Sequence, residues 1–209
     1  MTALIQPVTP NASSLPETKE ELRMIEKNVP KEWLTSLGGP DAPAATVEIA
    51  LPHLRESSIV HFACHGTQDL ENPVDTGLLL ADGRLKLSKL MWNSSHQGQN
   101  MRMAFLSACE TAKGDPTVPD EAMHLASTML FLGFRGVVAT MWTIKDYDGP
   151  TIVETFYREL FAGCNATAAP QSLPDLTKSA RALHAAVTKL RADPKVPFHR
   201  WAPFVHYGL

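Results

Sequence analysis

The 209-residue sequence lacks most of the features that would declare a function at once. It has three cysteines, Cys64, Cys109 and Cys164, an odd number without close pairing, which argues against a disulfide framework and for free thiols in a reducing compartment. It has no CxxC and no HExxH, the spacings that make metal ligands converge. His61, Cys64 and His65 crowd together, but alternate residues of a strand point to opposite faces, so Cys64 should turn away from both histidines and no metal site is expected. Neither GxxxxGK[ST] nor GxGxxG occurs, and SLGGP at Ser36 to Pro40 has glycines without a clear strand before it, so no phosphate-cradling loop is expected. The GxSxG elbow of serine hydrolases is missing too. No run of Lys and Arg breaks the near balance of charge, net -3, which leaves no electrostatic footprint for nucleic acid or an anionic membrane. No window approaches the ~18 apolar residues of a membrane span, and MTALIQPVTP lacks the basic start and apolar core of a secretory signal. A cytoplasmic location is therefore expected, in which the sequons at Asn11, Asn93 and Asn165 carry no meaning.

What is present is apolar mass and order. With 44% hydrophobic residues the chain can bury a full core, and residues 1–209 are read as a single domain. ALIQPV reads as a strand, and ETKEELRMIEKNV, with Leu22, Ile25 and Val29 on one face and Pro30 at its end, as a helix. Residues 45–55 are helical in pattern, with Pro52 a blemish, and lead into the strand Ile59 to Ala63. TGLLLADGRLKLSKL reads as a hairpin near 78–87 turning at Asp82-Gly83 and standing off the main sheet. Met103 to Ala108, Glu121 to Leu132 and Gly136 to Met141 make a strand–helix–strand unit, which implies a parallel sheet. Helices over 151–161 and 176–191 follow, and WAPFVHYGL offers a last strand. The pattern predicts a three-layer α/β fold with helices on both faces of a mostly parallel sheet.

In such sheets working residues sit beyond the carboxyl ends of the strands. Two apolar runs end that way: IVHFACHG on His65 and Gly66, and MAFLSACET on Cys109. An imidazole within reach of a cysteine lowers its pKa and can protonate a leaving amine, and a glycine lets a backbone N–H approach a developing oxyanion. On this ground His65 and Cys109 are candidate catalytic residues, with the Gly66 and Cys109 amides as oxyanion donors. Residue chemistry alone leaves the alternative open that these cysteines and histidines are ordinary core residues.

SIVHFACHG, TGLLLADGRLKLSKL, LSACETAKGD, FLGFRGVVATMWTIKDYDG, TFYREL and HRWAPFVHYG, in that order and over nearly the whole chain, resemble the CHAT domain, a caspase-like module of clan CD related to caspases and separase. The resemblance implies a caspase-like sandwich of about six strands and a cysteine endopeptidase with His65 as general base and acid and Cys109 as nucleophile. It implies no cofactor and a protein or peptide substrate. CHAT domains often follow helical repeats, so a helical-repeat regulatory partner or region is expected. The other reading is a catalytically silent caspase-like interaction module. His61 matches the family's first histidine of that strand and is read as structural, and Cys164 as an exposed bystander. Metacaspase-like relatives that cut after Arg or Lys have an aspartate two residues before the nucleophile, in the S1 pocket. Ser107 stands there in this chain, which predicts a neutral or apolar P1 residue unless Asp146, Asp148 or Glu110 restores the charge. Asp146 and Asp148 could border that pocket, or cap the helix that begins near Pro150.

Overall fold

The computed structural model of the chain describes residues 1–67, 75–86, 88–89, 103–107, 121–168 and 172–208, with 121–124 given by backbone alone. Cys109, Glu110 and Ala108 lie outside the described residues. The first half runs β1 (Thr2–Ile5), α1 (Thr18–Asn28), β2 (Thr35–Leu37), α2 (Val47–Glu56), β3 (Ile59–Ala63), β4 (Gly66–Thr67), β5 (Gly77–Leu80) and β6 (Gly83–Lys86). The second runs β7 (Met103–Leu106), α3 (Glu121–Phe131), β8 (Gly136–Thr140), α4 (Gly149–Leu160), α5 (Ser179–Arg191), a short α6 (Phe198–Trp201) and β9 (Phe204–Gly208).

The main sheet has six strands in the order β2-β1-β3-β7-β8-β9. All neighbours are parallel except β9, which runs antiparallel to β8. The central strands β1, β3, β7 and β8 are buried at every position, as strands covered on both faces must be. After β1 the chain steps outward to β2 and then returns to the other side of β1 as β3, so the direction of winding reverses between β1 and β3. The carboxyl ends of those two strands therefore flank the crevice where such sheets place their ligands.

The layers follow from strand alternation. Leu4, Val60, Phe62, Cys64, Ala104, Leu106, Val137 and Ala139 face one side and pack with Ala50 and Leu54 of α2 and Leu125, Ala126 and Met129 of α3. Ala3, Ile5, Ile59, Ala63, Met103, Phe105 and Val138 face the other, against Leu22 and Ile25 of α1, Phe156 and Tyr157 of α4, and Leu183 and Ala186 of α5. Helix α2 starts at Thr46, whose Oγ1 accepts from the Ile49 N–H at 3.3 Å, and it carries Pro52 in its interior without ending there.

Three details differ from the sequence reading. A strand does precede the glycines of SLGGP: β2 is only three residues long, too short to show a period, and it ends on Gly38 with φ of 80°, where a Cβ would strike the carbonyl oxygen of Ile5. The hairpin turns at Ala81-Asp82, since Leu80 pairs with Gly83. It also gains β4 as a third strand, and its Leu78, Leu80 and Leu85 enter the core beside α2 rather than standing off it. Asp82 in its turn accepts from the Val47 N–H at 2.8 Å, so the hairpin caps α2.

Candidate active site

His65 follows β3 at the crevice and is buried, on the α1/α4 side by strand alternation. Its Nε2 lies 2.6 Å from the carbonyl oxygen of Ser13, in the loop between β1 and α1. A carbonyl only accepts, so Nε2 carries the proton and Nδ1 is the basic nitrogen of the neutral ring. The main chain here is held from the far side: Leu79 of β5 donates its N–H to the His65 carbonyl at 2.8 Å. Gly66 pairs with Leu78 one step further on. That register makes Gly66 a non-hydrogen-bonded position of the antiparallel ladder, so its N–H points away from β5.

Beneath His65, on the same face, lies a polar seam in otherwise apolar packing. His61 is fully buried; its Nδ1 is 3.1 Å from the Tyr157 hydroxyl on α4, and its Nε2 is 3.1 Å from Oε2 of Glu21 on α1. The ring also stacks on Phe105 with centroids 5.0 Å apart. Burial pushes the Glu21 carboxyl above the ordinary carboxylate range, opposed by His61 and by the nearby Ser107 hydroxyl. Burial also raises the Tyr157 phenol, helped by the Glu21 charge. His61 is therefore satisfied by its neighbours, as a structural histidine should be. Sequence reading passed over Glu21 and Tyr157, although a signal existed. Thr18, Glu21, Leu22 and Ile25 form one buried helical stripe, and a carboxylate inside an apolar stripe asks for a buried partner.

Ser107 directly follows β7, its N–H donating to the Phe62 carbonyl at 2.9 Å, so the two central strands remain paired to the edge of the crevice. The structure places Ser107 beside Glu21. Neither aspartate caps α4. Asp148 stands at its N-cap position with no side-chain cap bond, and is instead a buried partner of Arg200, which donates through both Nε and Nη2. Asp146 reaches across to α1, where its Oδ2 accepts from the Glu17 N–H at 3.0 Å. The physical reason is supply: α4 begins on Gly149 and Pro150 directly after a one-turn 3-10 segment, which already orders its first turn. Cys64 turns into the apolar core on the opposite face from His61. Cys164 is half-buried against the core rather than exposed, and burial raises its thiol pKa.

A central sheet with this winding, a histidine at its crevice and helices on both faces is the arrangement the motifs implied, and the family model of the CHAT domain matches residues 2–209. The chain belongs to the CHAT domain family. No curated protein matches it. As a CHAT domain it has the caspase-like α/β architecture, and its family is related to cysteine peptidases. Among the described residues no helix is long and apolar enough to cross a membrane.

Proposed function

We propose that this CHAT domain is a cysteine endopeptidase in which Cys109 attacks a peptide carbonyl and His65 moves the protons. The observation that carries the reading is the register of the two central strands. Ile59 of β3 pairs with Met103 of β7, 44 residues on, and the pairing holds that offset through Phe62 and Leu106. His65 stands 44 residues before Cys109. The same offset that pairs the strands thus relates the histidine to the cysteine. With Nε2 held by the Ser13 carbonyl, Nδ1 is the nitrogen that accepts the thiol proton.

The chemistry then balances with these groups alone. The Cys109 thiolate adds to the carbonyl carbon, and the oxyanion is stabilised by the Gly66 and Cys109 amides. Collapse of this intermediate breaks the C–N bond as protonated His65 gives its proton to the leaving amine. Water, deprotonated by His65, hydrolyses the thioester and restores the thiolate. The Ser13 carbonyl favours the imidazolium that appears between these steps, the role a third group has in catalytic triads.

Labelling with an iodoacetamide probe across pH tests the pair. Cys109 should react faster than a model thiol at neutral pH and lose that advantage in His65→Ala. Equal, model-like rates in both proteins overturn the dyad and favour a catalytically silent interaction module. Digestion of a peptide library should be abolished by Cys109→Ala with little change in melting temperature. A Cys109→Ala chain that fails to fold would assign the residue to the core instead.

A further inference from the structure

The carbonyl that fixes the proton of His65 belongs to a loop, and that loop is fastened at a second point. Residues 7–15 close on themselves after β1. The Leu15 N–H donates to the Pro7 carbonyl at 2.8 Å, and the Ser14 hydroxyl donates to the same oxygen at 3.3 Å. Between these ends the Ala12 N–H donates to the Thr9 carbonyl at 3.2 Å, around Pro10 and Asn11. Asn11 has φ of 63°, so this turn takes proline first and then a residue that tolerates positive φ. The loop joins α1 without slack, because the N–H and the hydroxyl of Thr18 both donate to the Leu15 carbonyl, at 3.2 and 2.7 Å. A compact loop closed in this way is one body with the start of the helix, so the group that holds that start also sets where the Ser13 carbonyl points.

The holding group is Asp146. Helix α1 has no side-chain cap bond from Glu17, its own N-cap residue. The Glu17 N–H donates instead to Oδ2 of Asp146 at 3.0 Å, across 129 residues, in the 3-10 turn that follows β8. Glu21, one turn along α1, is held separately through His61 on β3. The helix is thus pinned at two levels, and the Asp146 bond is the one at the level of the loop. A short chain of bonds runs from the turn after β8 to the imidazole: Asp146 to the Glu17 amide, Thr18 to the Leu15 carbonyl, and the Ser13 carbonyl to His65 Nε2 at 2.6 Å. We propose that Asp146 is a positioning residue for His65, which fixes the β1–α1 loop so that the Ser13 carbonyl holds the imidazole proton on Nε2 and leaves Nδ1 to accept. Its consequence for turnover rests on His65 being the proton carrier of the peptidase, whereas its consequence for the ring does not.

The test follows the ring protons of the full chain, labelled with ¹⁵N-histidine, by NMR. In Asp146→Ala the His65 Nε2–H should exchange with water about tenfold faster, while the ring N–H of His61, held by Glu21 and Tyr157, keeps its rate as an internal control. Asp146→Asn should restore the His65 rate, since its side-chain oxygen accepts the same Glu17 N–H without the charge. With a peptide substrate, Asp146→Ala should lower kcat about tenfold and leave KM within about twofold, and Asp146→Asn should recover the loss. Asn11→Val, which cannot hold a positive φ without strain, should speed His65 exchange in the same way, and Asn11→Gly should not. An unchanged His65 rate in Asp146→Ala, or equal acceleration at His61 and His65, overturns the proposal and leaves Asp146 a structural cap. Asp146→Asn behaving like Asp146→Ala overturns it too, because the charge and not the bond would then matter. A changed P1 preference with unaltered exchange would make Asp146 a substrate contact instead. Should Asp146→Ala not fold, Asp146→Ser, too short to reach the amide, puts the same question. A wild-type chain that cleaves no peptide would sink the peptidase reading, while the exchange rates still decide whether Asp146 positions the ring.

Discussion

Strand β3 sends Val60, Phe62 and Cys64 to one side of the sheet and His61, with His65 beyond its end, to the other. The first side is dry, lined by aliphatic and aromatic residues of α2, α3 and the β5–β6 hairpin. The second buries as many apolar groups but threads through them a line of polar atoms, Tyr157 to His61 to Glu21, with Ser107 beside its end. Both sides exclude water, yet they are held differently. Loss of contact on the dry side leaves a cavity, whereas loss of one partner in the seam leaves a buried polar group with nothing to bond. The candidate site grows out of the second side, where the low dielectric and fixed donors also make electrostatic effects strong.

The largest expected effect breaks the seam. His61→Ala strands the Glu21 carboxyl and should cost about 3–5 kcal/mol in a urea melt, while Leu at both His61 and Glu21 should restore most of that loss. A double variant no more stable than His61→Ala alone would mean that the seam is not an isolated pair. Next in size are two adjacent truncations on opposite faces. Val137→Ala on the dry side and Val138→Ala on the seam side are both fully buried and should each cost about 1–3 kcal/mol by cavity formation. A seam-side cost well below the other would show that this face repacks more freely.

Gly149→Ala is expected to cost about 1–2 kcal/mol, because its Cβ would collide with Oε1 of Glu21. The cost should vanish in a Glu21→Ala background, which thermal melts of the four proteins would show. The smallest effect lies on the surface of the seam-side helices. Glu154 of α4 binds Lys189 of α5 and Lys27 of α1 at 2.8 and 2.9 Å, and these bonds hold its pKa down to about 2. A carboxylate with a depressed folded pKa contributes stability above its unfolded value of 4.5 and loses it as pH falls toward 2. Its side chain is 23% exposed, so Glu154→Gln should cost about 0.5–1 kcal/mol at pH 7 and only a small remnant of that at pH 2. Melts at the two pH values check the sign.

Much of the fold was legible because burial imposes periods. The short, largely apolar and β-branched runs at 59–63 and 136–140 read as strands covered on both faces, and the stripes in α1 and α5 followed the helical spacing. Three-residue β2 carries too few positions for a period, and Asp82 as a cap for α2 is a contact across 35 residues that no local pattern encodes. The candidate site divides in the same way. His65 and Gly66 were legible as residues that close an apolar run, whereas Cys109 lies outside the described residues. Glu21 and Tyr157 were hidden by the apolar stripes that contain them, and the carbonyl of Ser13 is a group every residue has.

By itself, then, the order of apolar runs determined a parallel-centred sheet with helices on both faces, since an all-buried strand needs cover on each side and a parallel connection needs a crossover. It also determined which chemical groups stand at the strand ends. Tertiary structure alone decided how they are used. It turned Asp146 to α1 and Asp148 to Arg200, gave the His61 ring to Glu21 and Tyr157, and fixed the proton of His65 on Nε2 through a backbone oxygen 52 residues away. The reason is that hydrogen bonds in a buried site are set by which donors and acceptors the packing brings within about 3 Å, and packing is a property of the assembled layers rather than of any one segment.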